Sequence, residues 1–398
     1  MLRAADPAFT TPELGAPGRP TPLIVHLIYQ LGVGGLENGL INLINHMPPE
    51  RYRHVIICLK NATDFHARIK TPGVQIISLH KEEGKDWGHY VRLYRTLKQL
   101  QPSVVHSRNL ACMEGQLLAA AAGIKRRVHS EHGRELADPD GQNRKYKLLR
   151  RLLRPLIGHF VTVSKDLEQW LIKSIKVVPA RVTTINNGVD SVHFHPRLGP
   201  AAAIGPPGFM CDDAFVIGSV GRMVDVKDFA ALVQAFLLLL GNDATAHQRL
   251  RLMIIGDGPC RSQCLTLLQE AGLAERAWLP GWRDDIAQLM RSMDLFVLPS
   301  LAEGSSNTIL EAMASGLPVV ATKVGGSIDL VQPGWTGALV PPSSPDLLAD
   351  AISHYLRIPG LAQRHGVRAR LHVLAEHSLP AMASAYLAVY DALLPLGR

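Results

Sequence analysis

Two glutamates, Glu303 and Glu311, stand at the ends of the short polar stretch EGSSNTILE. The residues that follow Glu303 are small, and we expect a helix to begin among them, at about position 306. The unpaired backbone N–H groups of a helix start stabilise an anion such as phosphate. An acid deeper in the helix, at Glu311, can accept hydrogen bonds from two neighbouring sugar hydroxyls. The stretch is therefore consistent with a site that has a phosphate end and a sugar end, although a capped surface helix is an equal alternative.

A second stretch, AFVIGSVGRMVDVKDF, places two cations just after an apolar strand. Arg222 and Lys227 would lie beyond the carboxyl end of that strand. Two cations there can neutralise the charge that grows on a departing diphosphate, without a metal ion. The alternative is a pair of solvated basic residues, as most surface cations are.

The elements that must position these residues are short apolar strands that alternate with segments of helical period. In the first half, strand-like runs begin near residues 23, 54, 74, 104, 126 and 159, and the pattern restarts near residues 214, 250, 276, 295, 318 and 336. Such alternation predicts βαβ units around parallel sheets. The fold class is therefore α/β, with two doubly wound, Rossmann-like domains whose ligand loops follow the strands.

Composition divides the chain into segments. The first residues are rich in proline, and a second run rich in Pro, Gly and Ala, RLGPAAAIGPPGFMCDD, reads as a linker. An amphipathic segment closes the chain. The predicted boundaries are a flexible tail over 1–20, an N-terminal domain over 21–197, a linker over 198–212, a C-terminal domain over 213–375 and a last helix over 376–398 that returns to the first domain.

The charge and the cysteines narrow the class of protein. A net charge of +8 and a pI near 9.3 suit an anionic partner. The aromatic content of 6% and the lack of basic stretches interleaved with aromatics argue against nucleic acid. Five scattered cysteines, a proline-rich start and the absence of a long apolar run favour a cytoplasmic protein in a reducing compartment.

Four motifs occur in a specific order: VGRMVDVKDF, IIGDGP, PGWRDDI and PSLAEGSSNTILEAMASGLPVVATKVGG. Together they resemble the nucleotide-sugar-binding half of the retaining glycosyltransferases of family 4, the group-1 transferases, with their E-x7-E signature. LGVGGLENGL, SEHG, VTVSKDL and INNGVD extend the resemblance into the first half. Within the family the chain most resembles bacterial transferases of exopolysaccharide biosynthesis.

The resemblance implies a GT-B fold, with two Rossmann-like domains facing a central cleft. The N-terminal domain would hold the acceptor and the C-terminal domain the nucleotide sugar. The implied activity is retaining and metal-independent, from a UDP- or GDP-sugar to a glycan or lipid-linked acceptor, with no cofactor beyond this co-substrate. A GT-B-like nucleotide-sugar epimerase and a non-catalytic sugar-nucleotide-binding protein are the alternatives.

The resemblance also assigns roles to residues. Glu303 and His132 would orient the transferred sugar as the catalytic pair, although a lone histidine after a strand is more often structural. Donor-binding positions carried over from the family motifs are Arg222, Lys227, Gly304, Ser305, Ser306, Asn307, Glu311, Gly34 and Gly35. No metal ligand is expected, and the DPD sequence at Asp138 is interpreted as a turn.

Two positions depart from the family pattern. Ser305 is small where the family often has a bulky residue, which leaves the shape of the sugar pocket open. Asn186 in INNGVD stands where proline is common, so that loop is expected to be more mobile.

The segment RKYKLLRRLLRPLIGHF carries six cations and no acid among its leucines. A helix over 144–156 with this pattern suits peripheral contact with anionic lipid on the inner face of the cytoplasmic membrane. A packed helix with a solvated basic flank is equally consistent with the pattern.

Overall fold

The structure of the chain is a computed structural model. It describes residues 21–84, 86–135, 138, 140–199, 204–211, 213–242 and 248–394. The predicted tail over 1–20 and part of the predicted linker over 198–212 lie outside the described residues. The chain divides into two compact units, which comprise residues 1–130, 145–160 and 386–398, and residues 131–144 and 161–385.

The N-terminal half of the chain forms a sheet with the strand order β3-β2-β1-β4-β5-β6-β7. The strands are Leu23–Ile28 (β1), Arg53–Cys58 (β2), Gln75–Ser78 (β3), Val104–Arg108 (β4), Arg127–Glu131 (β5), His159–Thr162 (β6) and Val182–Thr184 (β7). The neighbouring pairs from β3 to β5 are parallel. This order, which reverses direction at β1, is that of a Rossmann-like sheet.

Helices connect these strands. They are Gly35–His46 (α1), Trp87–Leu100 (α2), Gly115–Ala121 (α3), Arg144–Leu153 (α4) and Lys165–Trp170 (α5). A π-helical turn, Leu171–Ile175, continues α5. Strand residues alternate between two cores, with Val55 and Ile57 in one and Ile56 and Cys58 in the other. Helices therefore cover both faces of the sheet, as the apolar strands predict.

A second sheet, with the order β10-β9-β8-β11-β12-β13, is parallel throughout. Its strands are Phe215–Val220 (β8), Leu250–Ile255 (β9), Ala277–Gly281 (β10), Leu295–Leu298 (β11), Val319–Thr322 (β12) and Gly337–Val340 (β13). The helices of this region are Phe229–Asn242 (α6), Arg261–Glu270 (α7), Ile286–Met290 (α8), Asn307–Ala314 (α9), Ser327–Leu330 (α10), Pro345–Arg357 (α11) and Leu361–Glu376 (α12). Two buried cores flank this sheet, so it is doubly wound as well.

The last helix, Leu379–Leu393 (α13), belongs from Tyr386 onward to the first unit. There the Tyr390 hydroxyl lies 2.7 Å from His106 Nδ1, and Tyr52 and Arg51 donate hydrogen bonds to the Asp391 carboxylate. The prediction that the final helix packs back on the first domain is confirmed. Within the described ranges, every helix is too short or too polar to cross a membrane.

Candidate functional site

The first candidate loop follows β8, as predicted. Gly221 begins it, and a 3-10 turn over Asp225–Lys227 ends it. The neighbouring loop after β9 packs directly on it, because the backbone N–H of Met223 donates to the Asp257 carbonyl at 2.9 Å. Cys260 Sγ donates to the Asp225 carboxylate at 3.0 Å, and this hydrogen bond raises the pKa of the thiol. These contacts hold the loop that carries both predicted cations.

Lys227 and Glu303 come together although 76 residues separate them. Lys227 Nζ donates to Glu303 Oε1, and Ser300 Oγ donates to the same oxygen at 2.6 Å. The Glu303 side chain is 8% exposed and the Lys227 side chain 19% exposed. Lys227 therefore neutralises the Glu303 carboxylate, and the two hydrogen bonds hold it in place. Ser300 was not among the predicted residues, although it stands only three positions before Glu303.

The start of α9 has the helix-terminal geometry that the sequence predicts. Ser306 is the N-cap, with extended backbone, and its Oγ accepts from the Ile309 N–H at 3.3 Å. The Ser305 hydroxyl oxygen is buried and makes no hydrogen bond to any described residue. The helix start thus combines backbone donors with an unpartnered hydroxyl, which suits an anion with several oxygens.

Asn307, the first residue of α9, is tied to the INNGVD motif. Asn187 Nδ2 donates to Asn307 Oδ1 at 2.7 Å, and Asn187 is only 9% exposed. The sequence placed both residues in family motifs but did not pair them. Asn187 therefore positions a predicted donor-binding residue.

Gly304 lies against the segment that carries His132. A Cβ on Gly304 would overlap the His132 carbonyl oxygen and lie 3.0 Å from Gly133 Cα. Only a residue without a side chain permits this approach. The structure therefore brings the predicted catalytic pair, Glu303 and His132, onto adjoining backbone segments of one unit.

A second glycine pair supports the same loop from the other side. Gly325 has a φ of +44°, and a Cβ there would lie 2.8 Å from the Glu303 carbonyl carbon. A Cβ on Gly326 would lie 3.0 Å from Ser305 Cα. The VGG that ends the sequence motif is thus explained by close backbone packing under residues 303–305.

Arg222 and Glu311 lie in the same unit as the carboxylate cluster around Glu303. Arg222 is exposed, and its side chain makes no hydrogen bond or ion pair with a described residue. Glu311 is half-buried in the second turn of α9. Both positions are those expected of a cation in a strand-end loop and of an acid inside the helix.

Gly34 and Gly35 lie at the start of α1, in the first unit. Gly34 is the N-cap, and the Glu37 carboxylate folds back so closely that a Cβ on Gly34 would overlap it. An acid in the first turn of a helix is favoured by the helix dipole. The glycine-rich loop therefore opens a helix, as predicted, with a carboxylate of its own beside the helix start.

Asp138 behaves as the interpretation of a turn requires. Its carboxylate accepts from the backbone N–H groups of Gln142 and Asn143 at 2.8 and 3.0 Å. These hydrogen bonds close a turn just before α4 begins at Arg144.

Along α4 the leucines are divided between the protein core and its surface. Leu148 and Leu152 are 57% and 66% exposed, whereas Leu153 and Arg150 are buried. Lys145 and Arg151 are exposed beside the outer leucines. The helix is therefore packed on one side and also presents an apolar, basic side to solvent.

Comparison with known proteins gives two family matches. Residues 33–192 match the family described as Glycosyltransferase Family 4, and residues 214–357 match the family described as Glycosyl transferases group 1. The lipopolysaccharide core biosynthesis mannosyltransferase LpcC of Rhizobium leguminosarum bv. viciae is 33% identical over 273 residues, which cover 62% of this chain and 74% of LpcC. The chain belongs to the family 4, group-1 glycosyltransferases.

Other similarities agree with this placement. An Escherichia coli UDP-Gal:alpha-D-GlcNAc-diphosphoundecaprenol alpha-1,3-galactosyltransferase is 25% identical over 336 residues, 83% of this chain and 86% of that enzyme. The crystal structure of Anabaena Alr3699/HepE in complex with UDP and glucose superposes with a TM-score of 0.77 at 18% identity, over 93% of this chain and all of that one. The fold is therefore GT-B, and this family 4 member is a glycosyltransferase.

Proposed function

We propose that this glycosyltransferase is retaining and metal-independent and moves a sugar from a UDP- or GDP-sugar to a glycan or lipid-linked acceptor in exopolysaccharide biosynthesis. The observation that carries the proposal is the cluster around Glu303, where Lys227, the backbone of Gly304 and the start of α9 converge. A cation, a fixed carboxylate and a helix N-terminus are the groups that a sugar diphosphate requires.

Each part of the donor has a place in this cluster. Lys227 and Arg222 bind the diphosphate, with N–H groups of residues 304–307 as further donors. Glu303 and His132 orient the transferred sugar. Glu311, inside the helix, accepts hydrogen bonds from the two ribose hydroxyls.

The reaction proceeds on one face of the donor sugar. The bond from the anomeric carbon to the phosphate oxygen breaks, and a bond from the same carbon to the acceptor oxygen forms. The acceptor's hydroxyl proton passes to the departing phosphate oxygen, so no enzyme nucleophile is consumed. The protein contributes mainly position and the stabilisation of charge on the leaving group.

The cations of the chain itself carry that stabilisation, so the transfer step needs neither a divalent ion nor an organic cofactor. Lys227 already neutralises Glu303, and Arg222 adds a second positive charge in the same loop. The nucleotide sugar is therefore a co-substrate, and the rate of transfer is expected to persist in a chelator.

A donor panel tests the binding site. We expect at least one UDP- or GDP-sugar to raise Tm in a thermal shift assay and Glu311→Ala to abolish the shift. Glu270→Ala, which removes an exposed acid at the end of α7, is the matched control and keeps the shift. If DNA stabilises the protein and no nucleotide sugar does, the proposal is wrong.

Product analysis tests the chemistry. With the donor so identified, transfer to a lipid extract in the presence of EDTA should give a product whose anomeric proton coupling in NMR matches that of the donor. An inverted anomer would overturn retention, and loss of transfer in EDTA that excess Mg²⁺ restores would overturn metal independence. Release of free or epimerised sugar without a glycoside would instead indicate the epimerase alternative.

Two observations support a lipid-linked acceptor: the name of one relative and the exposed side of α4. One relative acts on a diphosphoundecaprenol-linked sugar, and α4 presents Leu148 and Leu152 beside Arg151. We propose that this side of α4 rests on anionic lipid, where a lipid-linked acceptor is found. Sedimentation with vesicles containing 30% phosphatidylglycerol, against pure phosphatidylcholine, tests this contact. Leu148→Ser with Leu152→Ser should reduce binding, and equal binding by this variant would contradict it.

A further inference from the structure

Three potential metal ligands meet where α12 ends. His372, Glu376 and His377 each offer one ligand atom, and these atoms all lie within 4.8 Å of one another. His372 and Glu376 stand four residues apart on one helix face, with 3.7 Å between Nδ1 and Oε1. His377 leaves the helical path, with φ −127° and ψ 28°, so its ring turns toward the same point. The two imidazole centroids are 5.3 Å apart.

The two histidines are buried without protein partners for most of their ring nitrogens. His377 is 3% exposed, and neither of its ring nitrogens makes a hydrogen bond within the described residues. His372 is 6% exposed, and its Nε2 is likewise without a partner there. Buried polar atoms are normally satisfied, and leaving them unsatisfied is costly. The unsatisfied nitrogens therefore indicate a ligand that is not part of the protein.

The chemistry of the three groups is that of a transition-metal site. Two imidazoles and one carboxylate suit Zn²⁺ and its neighbours in the first transition row, whereas Ca²⁺ and Mg²⁺ prefer oxygen ligands alone. Ligand atoms around a tetrahedral zinc ion lie about 3.4 Å apart, given bonds of 2.0–2.2 Å. Small side-chain rotations would close the present spacing to that value.

We propose that His372, Glu376 and His377 form a binding site for a divalent transition-metal ion, Zn²⁺ in the first instance. The Glu376 side chain is 64% exposed, so an ion can reach the two buried histidines from solvent on the Glu376 side. The Trp335 ring packs against the His372 ring in a T-shaped arrangement, with 6.1 Å between their centroids. The ion takes no part in glycosyl transfer, and the site stands whether or not the proposed function is correct.

The site lies at a structurally important junction of the second unit. The His377 carbonyl accepts from the Val189 N–H at 2.9 Å, and Val189 pairs with Ser378 in an isolated β-bridge. Two residues before Val189, Asn187 holds Asn307 at the start of α9. A bound ion would therefore fix the end of α12 at His377, whose carbonyl holds the segment that positions this helix start.

Metal titration of the full chain tests the proposal. Protein stripped with EDTA and then dialysed is titrated with Co²⁺, followed by visible absorption, and then with Zn²⁺ in competition. We expect one ion per chain with the absorption of a four-coordinate site, and a rise in Tm of roughly 5 °C at a Zn²⁺ concentration 100 times Kd. Elemental analysis by mass spectrometry gives the stoichiometry independently.

Variants locate the ion. Glu376→Gln and His377→Gln should each weaken Co²⁺ binding at least about tenfold, because each removes one of three ligands. His354→Ala and Glu275→Gln, which change an exposed histidine and an exposed acid elsewhere, are matched controls and should bind as the wild type does. If His377→Gln does not fold, Glu376→Gln carries the test, since its side chain is largely outside the core.

Two results would overturn the proposal. One is the absence of any site with a Kd below about 100 µM in the wild type, which corresponds to adventitious binding at scattered histidines. The other is unchanged affinity and stoichiometry in both Glu376→Gln and His377→Gln. Metal-dependent stabilisation that is lost in these variants and kept in the controls supports it.

Discussion

Replacing Gly304 with alanine gives the sharpest test of the candidate site, because the structure fixes how much room is missing. The new Cβ would lie 3.0 Å from Gly133 Cα and overlap the His132 carbonyl oxygen. Carbon atoms in contact are normally about 3.5–4.0 Å apart, so one of the two backbone segments must move by about 0.5–1 Å. That movement separates His132 from Glu303, or shifts the start of α9.

The expected cost has two parts. Overpacking of this kind lowers the free energy of unfolding by about 1–3 kcal/mol. Displacement by up to about 1 Å of the groups proposed to orient the sugar, Glu303 and His132, should lower kcat/KM by about 10- to 100-fold. Nucleoside diphosphate release with the donor found in the panel, corrected for hydrolysis without acceptor, gives kcat/KM, and urea unfolding gives the stability.

A matched control separates sterics from the mere loss of a glycine. Gly241 lies in α6, and among the described residues no heavy atom outside its own helix backbone lies within 4 Å of its would-be Cβ, so Gly241→Ala should leave kcat/KM unchanged and stability equal or higher. If Gly304→Ala kept kcat/KM within about threefold of the wild type and unfolded at the same urea concentration, the close approach of the two segments would be wrong. The proposed placement of His132 beside the donor would then be wrong as well.

Two further predictions concern charge. Lys227→Met removes the ion-pair partner of a nearly buried carboxylate, and we expect it to raise the donor Kd about 10- to 150-fold in calorimetry, the 1.5–3 kcal/mol of a charge-assisted contact. Arg249→Met removes a cation just before β9, at the opposite end of the strands, and should leave the donor Kd unchanged. Equal donor Kd values for the two variants would contradict the proposal that Lys227 binds the donor. In the first unit, burial, together with the Arg108 charge, lowers the pKa of His54 to about 4, so between pH 6.5 and pH 4 the unfolded chain binds a proton that the folded chain does not. The free energy of unfolding should therefore fall by about 3 kcal/mol as the pH drops through this window. In urea unfolding at pH 7 and pH 4.5, this fall should be smaller in His54→Asn than in the wild type, and unchanged in the exposed His46→Asn. Equal falls in the two variants would refute the lowered pKa of His54.

The alternation of elements was predictable because each strand is a short apolar run between segments of helical period. Leu23–Ile28 and Leu250–Ile255 both follow this pattern, and both are interior strands of their sheets, with a neighbour on each side. The loops that follow such strands collect at one edge of each sheet. This is why Arg222 and Glu303 could be placed in candidate ligand loops from the sequence alone.

The polar interior of the first unit could not be predicted in the same way. His26, His54 and His106 lie in three strands that read as apolar, yet all three rings are buried near one another. His26 stands opposite His106 only because of the register of β1 and β4, and register between distant strands is absent from a single sequence. The Tyr390 hydroxyl, which contacts His106, explains part of how the last helix packs there.

The pairing of side chains within the site was also beyond the sequence. Lys227 was predicted to bind diphosphate and Glu303 to bind sugar, whereas the structure joins them directly and adds Ser300. Sequence motifs indicate which loops share an edge of the sheet, but side-chain pairing depends on the conformation of each loop. The ion pair leaves Arg222 as the exposed cation of its loop, which favours its proposed role as a phosphate ligand.

Several glycines of the second unit allow the loops of the proposed donor site to pack backbone against backbone. A Cβ on Gly256 would lie 2.9 Å from the Gly221 carbonyl carbon, and one on Gly258 would lie 2.8 Å from that of Met223. Gly304 and Gly325 make similar approaches around residue 303. Loops held by backbone-to-backbone packing cannot move independently, so the helix start and the cation loop are positioned before any donor arrives. Such preorganisation lowers the entropy cost of binding and directs interaction energy to the charge that forms as the sugar leaves.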